Sequence, residues 1–154
     1  MDILWSDYAA DELSVHTLYE LLALRNQVFI VEQACAYQDL DGADLLAGTR
    51  HVAGRSGGRL VACARLLAPT ARRPQVRIGR VTVDPTLRGA GAGRRLMETA
   101  LLVCARHWPR QGRMLSAQAH LQAFYGSFGF RPVGEVYDED GIAHIDMQAQ
   151  SPSF

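Results

Sequence analysis

The sequence contains no lysine: all sixteen of its Lys/Arg side chains are arginine. That excludes a Walker-type phosphate loop, which must end in Gly-Lys-Ser/Thr. It also excludes acetylation of the chain's own lysine side chains. Cysteine is scarce too. Cys35, Cys63 and Cys104 are three in number and widely spaced. No CxxC pair occurs, so neither a zinc site nor a dithiol redox centre is expected. Buried free thiols are the ordinary reading of such residues, and Cys35, in EQACAY, is the one open to exposure. No apolar run approaches the roughly 18 residues of a membrane span. The N-terminal MDILWSDYAADE is acidic and lacks a signal-peptide pattern. A cytoplasmic chain with no membrane partner and no metal is expected.

What is present suits one domain spanning residues 1–154. A domain of this size buries roughly 70% of its unfolded surface and needs no staples. Apolar residues at 48% and charged residues at 21% are ordinary for a globular protein. The formal net charge is zero, but it is unevenly spread. Residues 1–44 hold nine acids against one arginine, a net −8. Residues 45–130 hold fourteen arginines against two acids, a net +12. Residues 131–154 return to −4, with five acids and one arginine. The basic middle suits a polyanion and the acidic ends a cation. Its arginines are dispersed over several elements with no nucleic-acid reader motif, so no nucleic-acid partner is expected.

Hydrophobic spacing orders the chain as β-α-β-β-β-α-β-α-β-β, a mixed α/β sheet domain. Ile3–Trp5 starts a strand. Leu18, Leu21, Leu22, Arg25, Val28 and Phe29 recur with helical period from about Ser14 to Phe29, with Ser14 or Asp11 as N-cap. Residues 33–49 read as a loop or broken helix. HVAGR and LVACARLLA flank SGG as a hairpin. VRIGRVTV (76–83) is a strand ended by Asp84-Pro85. A helix from about Gly91 to His107 puts Leu96, Ala100, Val103 and Cys104 on one face. MLSAQA (114–119) is a strand, and LQAFYGSF (121–128) a short helix stopped by Gly129. A last hairpin turns around DEDG.

The stretch VTVDPTLRGAGAGRRLME (81–98) carries the chemistry. Gly89, Gly91 and Gly93 alternate with Arg88, Ala90 and Ala92 at a strand-to-helix junction. A dinucleotide GxGxxG fails, because the last position falls on Arg94 or Leu96 and no acid stands at the ribose distance. Backbone N–H groups at a helix start match the charge of a pyrophosphate, and glycine and alanine permit close approach. Arg88, Arg94 and Arg95 add charge-assisted donors.

Arg88-x-x-Gly91-x-Gly93, after a strand and opening a helix, resembles the (Q/R)xxGx(G/A) loop of the GNAT superfamily of acyl-CoA N-acyltransferases. QAHLQAFYGSFGF (118–130) is similar to that superfamily's second signature. RNQVFIVEQACAYQDLDGAD (25–44) and YDEDGIAHIDM (137–147) resemble its ElaA-type branch. The resemblance implies a central, mostly antiparallel sheet flanked by helices. It implies direct transfer of an acetyl group from acetyl-CoA, the coenzyme A cosubstrate, to an amine acceptor. It places the pyrophosphate on Arg88, Gly89, Ala90, Gly91, Ala92, Gly93 and Arg94. It also implies that the backbone of Val81 and Val83 holds the pantetheine arm and the thioester carbonyl, with a backbone N–H there as oxyanion donor. Tyr125 matches the tyrosine that protonates the departing thiolate. Homodimers are common in the superfamily, so a homodimer is one expectation.

The strand 76–83 has no carboxylate to act as general base; Arg77 and Arg80 stand there instead. Glu32, Asp39, Asp41, Glu135, Asp138 and His144 are the candidates, with His120 read as a cap or packing residue. Gln118 stands where asparagine is common. Asp39, Asp41 and Asp44 on one side, with Asp138, Glu139 and Asp140 on the other, suggest an entrance for a cationic amine. Three other readings remain: a non-catalytic acyl-CoA-binding regulatory module, an acyl-homoserine-lactone synthase relative, and an arginine-rich nucleic-acid binder.

Overall fold

The computed structural model describes residues 2–152. Its elements follow the expected order: β1 (Leu4–Ala9), α1 (Val15–Arg25), β2 (Arg50–Ser56), β3 (Arg59–Leu67), β4 (Val76–Val83), α2 (Ala92–His107), β5 (Arg113–Gln118), α3 (Gln122–Gly126), β6 (Arg131–Glu139) and β7 (Ile142–Ala149). Among the described residues the strands form one seven-stranded sheet in the order β1-β2-β3-β4-β5-β7-β6. Every neighbouring pair is antiparallel except β4 with β5.

Each face of the sheet carries its own apolar layer. On one face Ala64, Leu66, Val76 and Ile78 meet Leu96, Met97, Ala100, Val103 and Cys104 of α2. On the other, Ala53, Leu60 and Cys63 meet Leu21, Leu24 and Val28. Period-2 alternation along β3 does this sorting: Ala62 and Ala64 turn one way, Cys63 the other. Each fully buried Leu or Met stabilises the fold by about 1.5–3 kcal/mol. All three cysteines are free and buried, Cys35 included.

The first helix departs from its expected form. Ser14 is the cap, its hydroxyl accepting from the Thr17 N–H at 3.0 Å. α-Helical geometry then ends at Arg25, four residues short of Phe29, and the chain continues as a π-helix over Asn26–Glu32. Leu24, outside the expected stripe, joins the core. Wide turns of this kind concentrate at functional sites.

β4 sets the geometry of everything that follows. It pairs with β5 only through Val76↔Arg113 and Arg77↔Met114. Beyond those residues the two parallel strands separate and leave a cleft between their facing edges.

The segment 33–49 is irregular, yet it is anchored by charge. Arg25, 2% exposed, reaches Asp39 Oδ2 at 3.0 Å and Asp44 Oδ1 at 2.6 Å. Arg65 donates to both carboxylate oxygens of Asp41, at 2.8 and 2.9 Å, and reaches Asp44 at 3.2 Å. Arg80 Nε lies 2.8 Å from Asp39 Oδ1. Three aspartates are thus matched by three arginines. Burial alone would raise the Asp41 carboxyl. The Arg65 hydrogen bond, the Ala43 N–H and the charges of Arg65 and Arg80 outweigh burial and hold it at about 2. Asp44 is also held low, its burial outweighed by Arg25 and Arg65.

Removing one member of such a buried cluster strands the others. Arg25→Ala is expected to cost about 3–5 kcal/mol in urea unfolding; a loss under 1 kcal/mol would mean the loop is held otherwise. The depressed carboxyls also fix a sign. Their contribution is present above the unfolded aspartate value of about 3.9 and is lost as pH falls through the folded value of about 2. The urea midpoint of the wild type should therefore decline steeply across that window and decline less in Asp41→Asn.

Candidate functional site

The cleft between β4 and β5 encloses about 1010 Å³ and runs from the start of α2 to the β6–β7 hairpin. Its two ends are built by different means.

At the α2 end the backbone provides the chemistry. Asp84 closes β4 and accepts from the Thr86 N–H at 2.9 Å, starting a single helical turn at Pro85. Gly89 and Gly91 follow with φ of +84° and +81°. A Cβ built on either meets nothing within 4 Å, so conformation rather than crowding requires glycine there. Gly91 is the N-cap of the 16-residue α2, and no side chain caps that helix. Its first N–H groups therefore face the cleft mouth with the positive end of the helix dipole.

The arginines at this end are less free than the sequence suggests. Arg88 forks onto the carboxylate of Glu32, Nη2 lying 2.8 Å from Oε1, and also reaches the Val83 carbonyl at 3.3 Å. That pairing lowers the Glu32 carboxyl and ties the loop to the π-helix. Arg94 donates to Ser127 Oγ at 3.0 Å and lies over the Phe128 ring, with no carboxylate partner among the described residues. Gly93 borders the cleft, whereas Ala90 and Ala92 do not. Ala92 is buried against Val61 and Leu87, so only its backbone can serve a ligand.

Midway, Val81 and Val83 wall the cleft on one side and Leu115, Ser116 and Gln118 on the other. Tyr125 of α3 also reaches it. Its ring packs edge-on against Phe124, with centroids 5.1 Å apart, and against Phe130. Burial pushes its hydroxyl up to about 12. The phenol therefore stays protonated at any working pH.

The far end is built from side chains. Cys35, Tyr37 and Asp41 come from the segment after the π-helix; Arg65, Arg77 and Gly79 come from the sheet. Glu139, Asp140 and His144 come from the last hairpin. Cys35 Sγ donates to the Asp140 carbonyl at 3.1 Å, joining loop to hairpin. Burial and the nearby charges of Asp140 and Asp138 raise its thiol, which makes it no nucleophile. His144 Nδ1 is 2.8 Å from the Ile142 carbonyl, and Nε2 is 3.4 Å from Glu139 Oε2.

This placement sorts the candidate bases. Asp39 is locked in the buried ion pairs and Glu32 is held by Arg88. Glu135 lies exposed on β6, and Asp138 accepts from the Gly141 N–H to shape the hairpin turn. Asp41 and His144 border the cleft, as do His120 and Gln118. The expected acidic entrance at Asp39, Asp41 and Asp44 does not form, because Arg25, Arg65 and Arg80 neutralise it. Arg65, Gly79, Cys35 and Tyr37 are cleft residues that spacing did not single out. The one signal available was β4 alternation: with Val76 and Ile78 in the core, Arg77 and Gly79 must face the other way.

The Acetyltransferase (GNAT) domain model matches residues 8–151. Protein ElaA of Escherichia coli is 53% identical over 143 residues, 93% of this chain and 94% of that protein. Its crystal structure superposes with a TM-score of 0.92, covering 97% of this chain and 100% of that one. An acyl-CoA N-acyltransferase from Pseudomonas aeruginosa is 47% identical, with a TM-score of 0.93 over 96% of this chain and 99% of its own. The AHL synthase LasI, 15% identical with a TM-score of 0.75, covers 97% of this chain and 90% of its own and shares the fold alone.

Two glycines of the cleft should respond differently to alanine. Gly91→Ala places a side chain at φ +81° and should lose about 1–2 kcal/mol in urea unfolding. Gly79→Ala, with ordinary φ and nothing within 4 Å, should leave the midpoint unchanged. Equal losses would refute the conformational account of Gly91.

Proposed function

The chain belongs to the GNAT acetyltransferase family, and from that premise we propose that it transfers an acetyl group from acetyl-CoA directly to an amine. It works as one domain, in the cytoplasm where acetyl-CoA is made and used. The observation that carries this reading is the uncapped start of α2 behind two left-handed glycines, at the mouth of a cleft that leads past Tyr125. The pyrophosphate takes the free N–H groups of Gly91 to Gly93, assisted by Arg94. Arg88 must share its fork with Glu32 to assist. The pantetheine arm lies between the unpaired edges of β4 and β5, its thioester carbonyl near Val81.

The amine enters from the hairpin end. An alkylammonium near pKa 10.4 is about three units too protonated at pH 7, a barrier contribution of about 4 kcal/mol. His144 suits the base: Nδ1–H donates to the Ile142 carbonyl, which leaves Nε2 as the basic nitrogen of a cleft-lining ring, and Glu139 Oε2 at 3.4 Å offers a partner once it takes a proton. Nitrogen then attacks the carbonyl carbon and the C–S bond breaks. Tyr125 gives its proton to the sulfur and recovers one from the nitrogen. A tyrosinate left in that apolar wall would be costly, so the two transfers must be closely coupled. Glu139 and Asp140 are the acids that remain to attract a cationic acceptor.

Calorimetric titration with acetyl-CoA tests the reading. Micromolar binding that Gly91→Glu abolishes is expected; no binding by the native protein would overturn it. Binding without CoA release across an amine panel would leave an acyl-CoA-binding regulator. With an accepted amine, Tyr125→Phe should lower kcat about 100-fold and leave the acetyl-CoA Kd nearly unchanged. His144→Ala should lose activity at pH 7 and recover much of it as pH approaches the amine's own pKa. A loss equal at every pH would remove His144 as the base.

A further inference from the structure

β3 and β4 fall out of step at one place. Cys63 pairs with Thr82 and Arg65 with Gly79, so Ala64 alone faces both Arg80 and Val81. The extra residue is a β-bulge, and Arg80 takes φ +50° in it. Glycine is the usual occupant of a left-handed bulge position. The chain has a glycine one residue earlier, at Gly79, where φ is ordinary and no neighbour approaches. An arginine therefore occupies the strained position while a glycine stands beside it unstrained. Its side chain must supply something that glycine lacks.

That side chain is fixed along its length. Nη2 donates to the Asp39 carbonyl at 3.0 Å and to Asp41 Oδ2 at 3.3 Å, while Nε lies 2.8 Å from Asp39 Oδ1 as an ion pair without hydrogen-bond geometry. The guanidinium lies over the Tyr37 ring, 5.6 Å from its centroid. Asp39 is itself immobilised by Arg25 at 3.0 Å and by the Tyr37 hydroxyl at 2.6 Å. On the backbone side, Thr82 Oγ1 donates to the Arg80 carbonyl at 2.8 Å. The bulge is held from both ends.

The location gives the clamp its use. The bulge lies beyond the last β4–β5 pair, where β4 has an unpaired edge on the cleft. A bulge leaves a backbone group outside the ladder. It also decides which way the following residues point, since a one-residue slip reverses every side chain. Val81 and Val83 pack on the α2 side only because the bulge is there.

We propose that Arg80, clamped by Asp39, is a positioning residue that holds the β4 bulge so that a backbone N–H beside Val81 meets the thioester carbonyl. This rests on the acetyl-CoA reading. It also ties the segment carrying Tyr37 and Asp41, the wall of the acceptor end, to the backbone of the transfer point.

The test needs no known acceptor. Acetyl-CoA labelled with 13C at the carbonyl is bound to the wild type, and its carbonyl stretch is compared with that of the free thioester by difference infrared spectroscopy. Calorimetry with CoA runs in parallel. The wild-type band should shift to lower frequency, as for a hydrogen-bonded carbonyl. Arg80→Gly removes both the strain and the clamp. It should bind CoA within two-fold of wild type, lose the shift, and fall less in melting temperature than Arg25→Ala, because Asp39 keeps Arg25 and the Tyr37 hydroxyl. Arg80→Lys should restore part of the shift. Arg80→Ala, which keeps the strain, should melt below Arg80→Gly. An unchanged shift in Arg80→Gly would overturn the clamp and leave acetyl-CoA binding standing. A wild type that binds without any shift would overturn it as well. A wild type that binds neither CoA nor acetyl-CoA would overturn the clamp and the acyl-transfer reading together.

Discussion

Arg25 is the side chain on which the far half of the cleft depends. It stands where α1 loses α-helical geometry, and it is buried with both of its aspartate partners. A guanidinium out of water is tolerable only when its donors are met. Here Nε, Nη1 and Nη2 all find oxygens on Asp39 and Asp44. Those oxygens come from a segment with no helix or strand of its own. The ion pairs thus replace the ladder hydrogen bonds that would otherwise order residues 33–44. A buried ion pair is seldom a net gain over apolar packing, so its return here is geometric: it fixes one path for an irregular chain. His51 extends the arrangement, its Nε2 lying 2.8 Å from the Asp44 carbonyl, while burial holds the imidazole below its ordinary value.

From that path two consequences follow. Asp39 is brought to Arg80, and Cys35 to the Asp140 carbonyl. The first contact reaches the β4 bulge, and the second reaches the tip of the β6–β7 hairpin. One loop therefore touches both walls of the cleft at its hairpin end. Three left-handed non-glycine residues, Ala34, Arg80 and Asp140, lie on or beside these contacts. Strain of this kind persists only where surrounding structure over-determines it.

Local pattern made part of this legible. Leu96, Ala100, Val103 and Cys104 marked the buried face of α2, and all four are in the core. SGG marked the β2–β3 hairpin, where Gly57 and Gly58 do take positive φ. Asp84-Pro85 marked the end of β4, and Asp84 is the residue that starts the next turn. Each of those features is decided within a few residues. The ion-pair cluster is not: Arg25 and Asp39 are 14 residues apart, and Arg80 and Asp39 are 41. Charge counting along the chain saw three aspartates and inferred an acidic patch. Only the fold brings the arginines that cancel it. The π-turn and the Arg80 bulge were equally hidden, since both are settled by what the backbone must reach rather than by propensity.

The two ends of the cleft therefore answer to different physics. At the α2 end, the proposed carrier site rests on helix N–H groups and on two glycine conformations, which few substitutions can imitate and few can improve. At the hairpin end, shape and charge depend on side chains whose partners are other side chains. On the proposed reading, a change there would alter the acceptor without disturbing the carrier end, provided Asp39 still holds Arg80. That condition is the point where the two ends meet. Under that proposal the residues between Arg25 and Asp44 would be the place where acceptor preference can vary and also the place where careless variation would move the transfer point itself.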